Sequence, residues 1–292
     1  MKFQGIYAPI VTPFSDDGEI NYPVLEKLIE FLIENKVAGI IPGGTTGEVY
    51  ALNDAERLEV FRFVKEKAGK RVVLMAGVNA GATRDVVRFS KKAEEMGYDA
   101  LMVAVPPYSR PNQNELTNHF RTVAAAVSLP IVLYNFPFRA GSEVGYEVLD
   151  GLLETKNIVG IKEASGEMNR VYEMNIRYGE RYQIICGSDD QALDYFLWGS
   201  RCWIGGVASC LPLHHHEILE LALKNDFEGA RKKMSKIMPL LRNAESGSYN
   251  QKVKFGCELR GLTPGIPRLP LLPLSGQEKE EFQRIFTAYL KS

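Results

Sequence analysis

The chain has 292 residues, enough for a large core in one α/β barrel domain. Hydrophobic residues make up 45% and charged residues 24%, and 35 basic against 36 acidic residues leave a formal net charge of −1, so no electrostatic footprint for nucleic acid or an anionic membrane is present. No apolar run approaches the ~20 residues that span a bilayer. The four cysteines, Cys186, Cys202, Cys210 and Cys257, show no CxxC spacing, which fits a reducing compartment.

The first apolar run, residues 6–11, reads as a strand with no apolar leader ahead of it, so a signal peptide is not expected and a cytoplasmic location is. Leu25, Leu28, Ile29 and Leu32 then recur at i, i+3, i+4 and i+7, the stripe of an amphipathic helix. Further strands are predicted at 39–42, 72–77, 100–105, 131–135, 159–162, 184–187 and 203–207. All are nearly continuous in apolar character, as strands covered on both faces should be. Asn53 or Asp54 caps the second helix and Thr83 the third, whose stripe is Val86, Phe89, Ala93 and Met96. Eight strand–helix units over roughly 220 residues predict a (β/α)8 TIM barrel, close to the usual ~250. A doubly wound open sheet is the alternative, but no GxGxxG follows the first strand. The barrel is assigned to 1–224. Helical patterns at 214–244, 249–262 and 277–290, with a Pro-rich extended connector at 263–273, predict a C-terminal helical bundle over 225–292.

Active sites of such barrels gather at the C-terminal ends of the strands. After strand two stands Gly43-Gly44-Thr45-Thr46-Gly47-Glu48, whose glycines let backbone amides approach a ligand and whose two hydroxyls can bind a carboxylate or relay a proton. After strand four, prolines hold Tyr108 outward. Tyr134 ends strand five, and Arg139 follows it, able to grip a carboxylate bidentately. Lys162 ends strand six. Burial of an amine favours its neutral form, and a neutral amine attacks ketones to form Schiff bases. Tyr134, one barrel position earlier, can meet Lys162 as proton donor and acceptor. Taken singly, Lys162 could snorkel to solvent, Tyr134 could be a core-edge ring and Arg139 a surface cation. Taken jointly, they share one face of one barrel. His214, His215 and His216 are consecutive on a helix start and point apart, so no metal site is expected.

The motifs Gly44-Thr45-Thr46-Gly47-Glu48, Tyr134-Asn135-Phe136-Pro137 and Ile161-Lys162-Glu163-Ala164-Ser165-Gly166 resemble those of the dihydrodipicolinate synthase / N-acetylneuraminate lyase family of class I aldolases, over essentially the whole chain. The resemblance implies a TIM barrel with a helical extension, assembled as a homotetramer, and no metal or organic cofactor. It implies that Lys162 forms a Schiff base with pyruvate or another 2-keto acid. Tyr134 would relay protons with the hydroxyls of Thr45 and Tyr108, the latter reaching a neighbouring subunit's site. Thr46 and Gly44 would hold the keto-acid carboxylate, Gly187 and Ile204 would line the pyruvate pocket, and Arg139 would bind the carboxylate of an aldehyde co-substrate.

Within the family, Thr45-Thr46 and Arg139 favour the synthase branch, which joins pyruvate to aspartate semialdehyde in lysine biosynthesis. The chain departs from that branch at Val49, Pro107 and Trp203 and in the stretch Ser248-Tyr249-Asn250, which lacks the usual Asn-Pro. The positions matching the lysine-feedback site read Val49, Asp54, Arg57, Gly81 and Pro107, which argues against lysine inhibition. These departures leave open an aldolase, dehydratase or deaminase of a 2-keto-3-deoxy sugar acid or of a hydroxyproline-derived keto acid, using the same lysine. A third reading is a barrel that binds a keto acid without turning it over.

Overall fold

The computed structural model describes residues 1–291. Its strands are β1 (Gly5–Ala8), β2 (Gly39–Ile40), β3 (Val73–Gly77), β4 (Ala100–Ala104), β5 (Ile131–Asn135), β6 (Ile158–Glu163), β7 (Gln183–Cys186) and β8 (Cys202–Ile204). They pair in sequence order, all parallel, and β8 closes back on β1. The expected (β/α)8 barrel is therefore the observed one, with each predicted strand present and most of them a residue or two shorter.

The helices are α1 (Tyr22–Glu34), α2 (Asp54–Ala68), α3 (Thr83–Glu95), α4 (Gln113–Ala125), α5 (Pro137–Ala140), α6 (Tyr146–Gly151), α7 (Met168–Tyr178), α8 (Ala192–Leu197), α9 (Pro212–Leu223), α10 (Phe227–Glu245), α11 (Tyr249–Glu258) and α12 (Gly276–Leu290). On α1, the stripe Leu25, Leu28, Ile29 and Leu32 is wholly buried, each side chain contributing roughly 1.5–3 kcal/mol of hydrophobic burial. Two cores result. One lies inside the barrel and includes Tyr7, Met75, Met102, Val132 and Ile204; the larger lies between strands and helices.

Helix starts follow local chemistry, with one correction. Asn53 caps α2, its side chain accepting from the Glu56 amide while Glu56 returns a bond to the Asn53 amide. Thr83 does not cap α3. It is the first helical residue, Ala82 precedes it, and its hydroxyl faces His119 Nδ1 at 2.9 Å. The expected continuous helix from 214 to 244 is broken into α9 and α10. Asn225 takes a left-handed φ of 61° and Asp226 caps α10 by accepting from the Gly229 amide. Asn followed by Asp carries that stop-and-start signal in the sequence. Helix α9 packs against β1 and α10, and α10 packs in turn on α11 and α12. Residues 263–273 run without helix, as the prolines require.

Candidate active site

Strand pairing places the central pair. Tyr134 and Lys162 are register partners on β5 and β6, so their side chains leave the sheet on the same face. Both point into the barrel mouth, nearly buried at 7% and 6% exposure, with Lys162 Nζ 4.2 Å from the centre of the Tyr134 ring. The next residues, Asn135 and Glu163, point the opposite way, as strand alternation demands, and lock the strand ends together. Asn135 Nδ2 donates to both Glu163 carboxylate oxygens at 2.9 and 3.0 Å. Glu163 also accepts from the Ser165 amide and the Arg170 guanidinium, and Asn135 Oδ1 accepts from the Val144 amide. The pair therefore sits on a backbone held by a hydrogen-bonded network centred on the fully buried Asn135 and Glu163.

Gly187, the residue after β7, makes room for the lysine. A Cβ there would lie 2.5 Å from the Glu163 carbonyl oxygen and 2.9 Å from Lys162 Cγ, closer than packed atoms approach. Gly206, after β8, does the same for two hydroxyls: its Cβ would fall 2.3 Å from the Tyr249 hydroxyl and 3.0 Å from Thr46 Oγ1. These two glycines bring Lys162, Thr46 and Tyr249 around one cavity of about 430 Å³, a size suited to a small metabolite.

Thr45, Thr46, Tyr134, Arg139, Lys162 and Gly187 all line this cavity. Gly44 and Ile204 do not. Gly44 is buried in the threonine loop, and Ile204 packs in the core inside the barrel. Tyr108 stands 99% exposed at a left-handed φ of 72°, outside its own chain's cavity. Trp203, one of the departures from the synthase branch, points outward into the helix layer. It packs on His215 at 4.3 Å between ring centres and on Phe196, and its indole N–H donates to Asp189 at 2.8 Å.

Several cavity residues escaped the sequence reading. Asp189 and Asp190 follow β7, Glu245 ends α10 and Tyr249 begins α11. Asp189 is 2% exposed. Burial pushes its carboxyl up to about 6 against the pull of the Trp203 indole, the Lys162 amine and the Val207 amide. Glu245 opens at the cavity mouth yet is hemmed in by protein. That burial, with the charges of Asp189 and Asp190, pushes its carboxyl up to about 8. The cavity thus carries Arg139 together with a wall of carboxyl groups, Asp189, Asp190 and Glu245. Asp189 was readable as a polar residue just past a strand end. Glu245 has no local signal, because it reaches the cavity only through the packing of α10.

The three histidines diverge as helical neighbours do. His215 is fully buried and its Nδ1 lies 2.8 Å from the Leu211 carbonyl oxygen, while His214 packs on Tyr289. Among the described residues, no helix is long and apolar enough to cross a membrane. All four cysteines are free and buried.

The dihydrodipicolinate synthetase family model matches residues 2–289. A 4-hydroxy-tetrahydrodipicolinate synthase of Caldicellulosiruptor bescii is 34% identical over 287 residues, 98% of this chain and 97% of that relative. The solved 4-hydroxy-tetrahydrodipicolinate synthase of Methylacidiphilum fumariolicum superposes with a TM-score of 0.96 at 33% identity, covering 99% of this chain and 97% of that one. A chloride-inhibited dihydrodipicolinate synthase of Acinetobacter baumannii, solved with pyruvate, has a TM-score of 0.95 at 32% identity and covers 99% of both chains.

Proposed function

The chain belongs to the dihydrodipicolinate synthetase family, and on that premise we propose that it condenses pyruvate with aspartate semialdehyde to 4-hydroxy-tetrahydrodipicolinate, as a class I aldolase-type lyase. The observation that carries this reading is the register pairing of Tyr134 with Lys162 at a cavity whose rim bears Arg139.

Lys162 Nζ attacks the pyruvate ketone and water leaves, giving an imine. Loss of a C3 proton gives an enamine, whose carbon adds to the aldehyde while the aldehyde oxygen takes up a proton. The amine of the semialdehyde portion then displaces Lys162 from the imine carbon and closes the ring. The sum consumes one pyruvate and one semialdehyde and releases one water. Tyr134 relays the protons. Thr45 shares that relay with a Tyr108 supplied by a neighbouring subunit, which its outward position supports. Thr46 and the Gly44 loop hold the pyruvate carboxylate, and Ile204 backs the pocket from the core inside the barrel. Arg139 takes the semialdehyde carboxylate. Residues 1–224 carry the lysine and its relay, and 225–292 pack against them and lend Glu245 and Tyr249 to the cavity wall. The protein works as a cytoplasmic homotetramer and needs no metal or organic cofactor, since Lys162 supplies the electron sink.

The carboxylate wall favours one other reading. Asp190 and Glu245 can accept from an ammonium group or from sugar hydroxyls. A 2-keto-3-deoxy sugar acid, or a hydroxyproline-derived keto acid, processed on the same lysine is therefore the second candidate. Borohydride reduction with pyruvate, followed by mass spectrometry, should find the adduct on Lys162; its absence would overturn the mechanism. With aspartate semialdehyde, kcat/KM should exceed that for sugar acids by more than about tenfold, each tenfold being about 1.4 kcal/mol of transition-state preference.

A further inference from the structure

Helix α11 does more than cover the barrel: one of its faces holds the threonine loop. Asn250 and Lys254 lie at i and i+4, hence on one face of the helix. Asn250 is 3% exposed, and its Nδ2 donates to the Thr45 carbonyl oxygen at 2.9 Å and to the Tyr50 hydroxyl at 2.8 Å. Lys254 is 2% exposed, and its Nζ lies 2.6 Å from Glu48 Oε1 while donating to the Ile266 carbonyl oxygen at 3.1 Å. The Arg268 amide donates to the other Glu48 oxygen at 3.0 Å. Glu48 itself holds a left-handed φ of 55°, which a non-glycine residue rarely adopts without outside contacts to fix it. Apart from the Lys254–Ile266 bond, which ties the C-terminal segment to itself, each of these grips runs from that segment to residues 45–50, the loop that carries Thr45 and Thr46. The barrel adds one of its own, Thr12 Oγ1 donating to the Gly47 carbonyl oxygen.

We propose that the Asn250–Lys254 face of α11 is a positioning element for the reaction: through the Thr45 carbonyl and the Glu48 carboxylate it keeps the Thr45 hydroxyl in register with Tyr134. This rests on the proton-relay role given to Thr45 above. Neither Asn250 nor Lys254 lines the cavity, so both act through the loop. A displacement of about 1 Å in a relay group can cost up to ~10²-fold in rate, so loss of one grip has a measurable consequence.

The test reads proton transfer apart from imine formation. In D2O with pyruvate alone, NMR follows exchange of the C3 hydrogens, and borohydride trapping reports the imine. Asn250→Leu keeps the side-chain size and removes the donor. It should slow exchange about tenfold while trapping on Lys162 persists. In the Thr45→Val background the same change should add less than about twofold, because residues acting through one another are not additive. Should Asn250→Leu fail to fold, the double variant Glu48→Gln/Lys254→Met removes both charges together, leaving neither buried and unpaired. It should show the same slowed exchange with trapping intact. Multiplication of the Asn250 and Thr45 effects overturns the proposal, as does exchange at the wild-type rate in Asn250→Leu or in Thr45→Val. Absence of any trapped adduct in the wild-type protein overturns instead the Schiff-base reading beneath it.

Discussion

At its inner end the cavity is walled by strand termini and the short turns that leave them: Tyr134 on β5, Lys162 on β6, Gly187 past β7 and Thr46 past β2. At its outer end it is walled by pieces that no strand ladder fixes, namely Arg139 on the one-turn helix α5, Asp190 in the turn before α8 and Glu245 at the last residue of α10. The inner tyrosine and lysine are nearly buried, whereas Arg139 is exposed and Glu245, though hemmed in by protein, opens to solvent at the mouth. A ladder of hydrogen bonds holds its side chains to fractions of an ångström; loops and helix ends tolerate change. The contrast teaches a division of labour. On the proposed function, imine chemistry falls to the part of the site built on strand ends, and choice of the second substrate to the part built on loops and helix ends.

The most severe way to break that division is at the lysine. Lys162→Ala should abolish borohydride trapping and lower kcat on the order of 10⁴-fold or more. A variant that still turned over through a trapped adduct elsewhere would remove the inner end's claim to the chemistry. Tyr134→Phe keeps the ring that stacks on Phe136 and removes only the hydroxyl. It should lower kcat by about 10²–10⁴-fold, the span of general acid–base catalysis, with trapping retained and the pyruvate KM little changed. Gly187→Ala tests rigidity itself. The new methyl must push on the Glu163 carbonyl and Lys162 Cγ. The expected result is a loss of roughly 1–3 kcal/mol of stability in a thermal melt, together with a reduced rate of trapping.

The inner end was legible in the sequence for the same reason it is rigid. Strand periodicity locates strand ends, and barrel topology turns those ends into neighbours, so the residue pattern alone brings Tyr134 and Lys162 together. Side-chain direction was the weak point. Trp203 sits at the right strand end, yet strand alternation turns its ring to the helix layer, where it reaches the cavity only through Asp189. Ile204, one residue on, packs inside the barrel but does not line the cavity. Glu245 and Tyr249 were not readable, because no periodicity says where α10 ends relative to the barrel mouth. That is set by packing of α10 on α9 and α12. Thr83 shows the same limit at small scale: threonine suits both the cap and the first turn, and in the fold its hydroxyl is taken up by His119 instead of the helix start.

At the outer end the expected effects are smaller and of a different kind. Arg139→Ala removes the one arginine that lines the cavity among the described residues. Loss of a charge-assisted contact worth roughly 1.5–3 kcal/mol should raise the KM of the aldehyde about 10–100-fold. Pyruvate trapping should proceed at the wild-type rate. If trapping failed as well, the two ends would not be separable and the comparison would collapse.

Glu245→Gln should give the smallest change, and its pH dependence makes it informative. With its carboxyl pushed up to about 8 by burial and by Asp189 and Asp190, Glu245 is largely protonated at pH 7, and glutamine imitates that neutral form. Near pH 7 the two proteins should therefore differ by less than about threefold in the aldehyde KM. Above pH 8 the wild-type residue ionises and places a third negative charge on the wall, so the two profiles should part only there. Stability obeys the same sign. A folded pKa above the ordinary carboxylate value means the native state holds its proton when the unfolded chain has lost it. The wild type therefore loses stability relative to the variant as pH rises from about 4.5, with the loss complete just above 8. Thermal melts of the two proteins across pH 4 to 9 check this directly. Curves that stay parallel would show that Glu245 faces solvent freely and that the outer wall carries no mutual repulsion for a ligand's positive group to relieve.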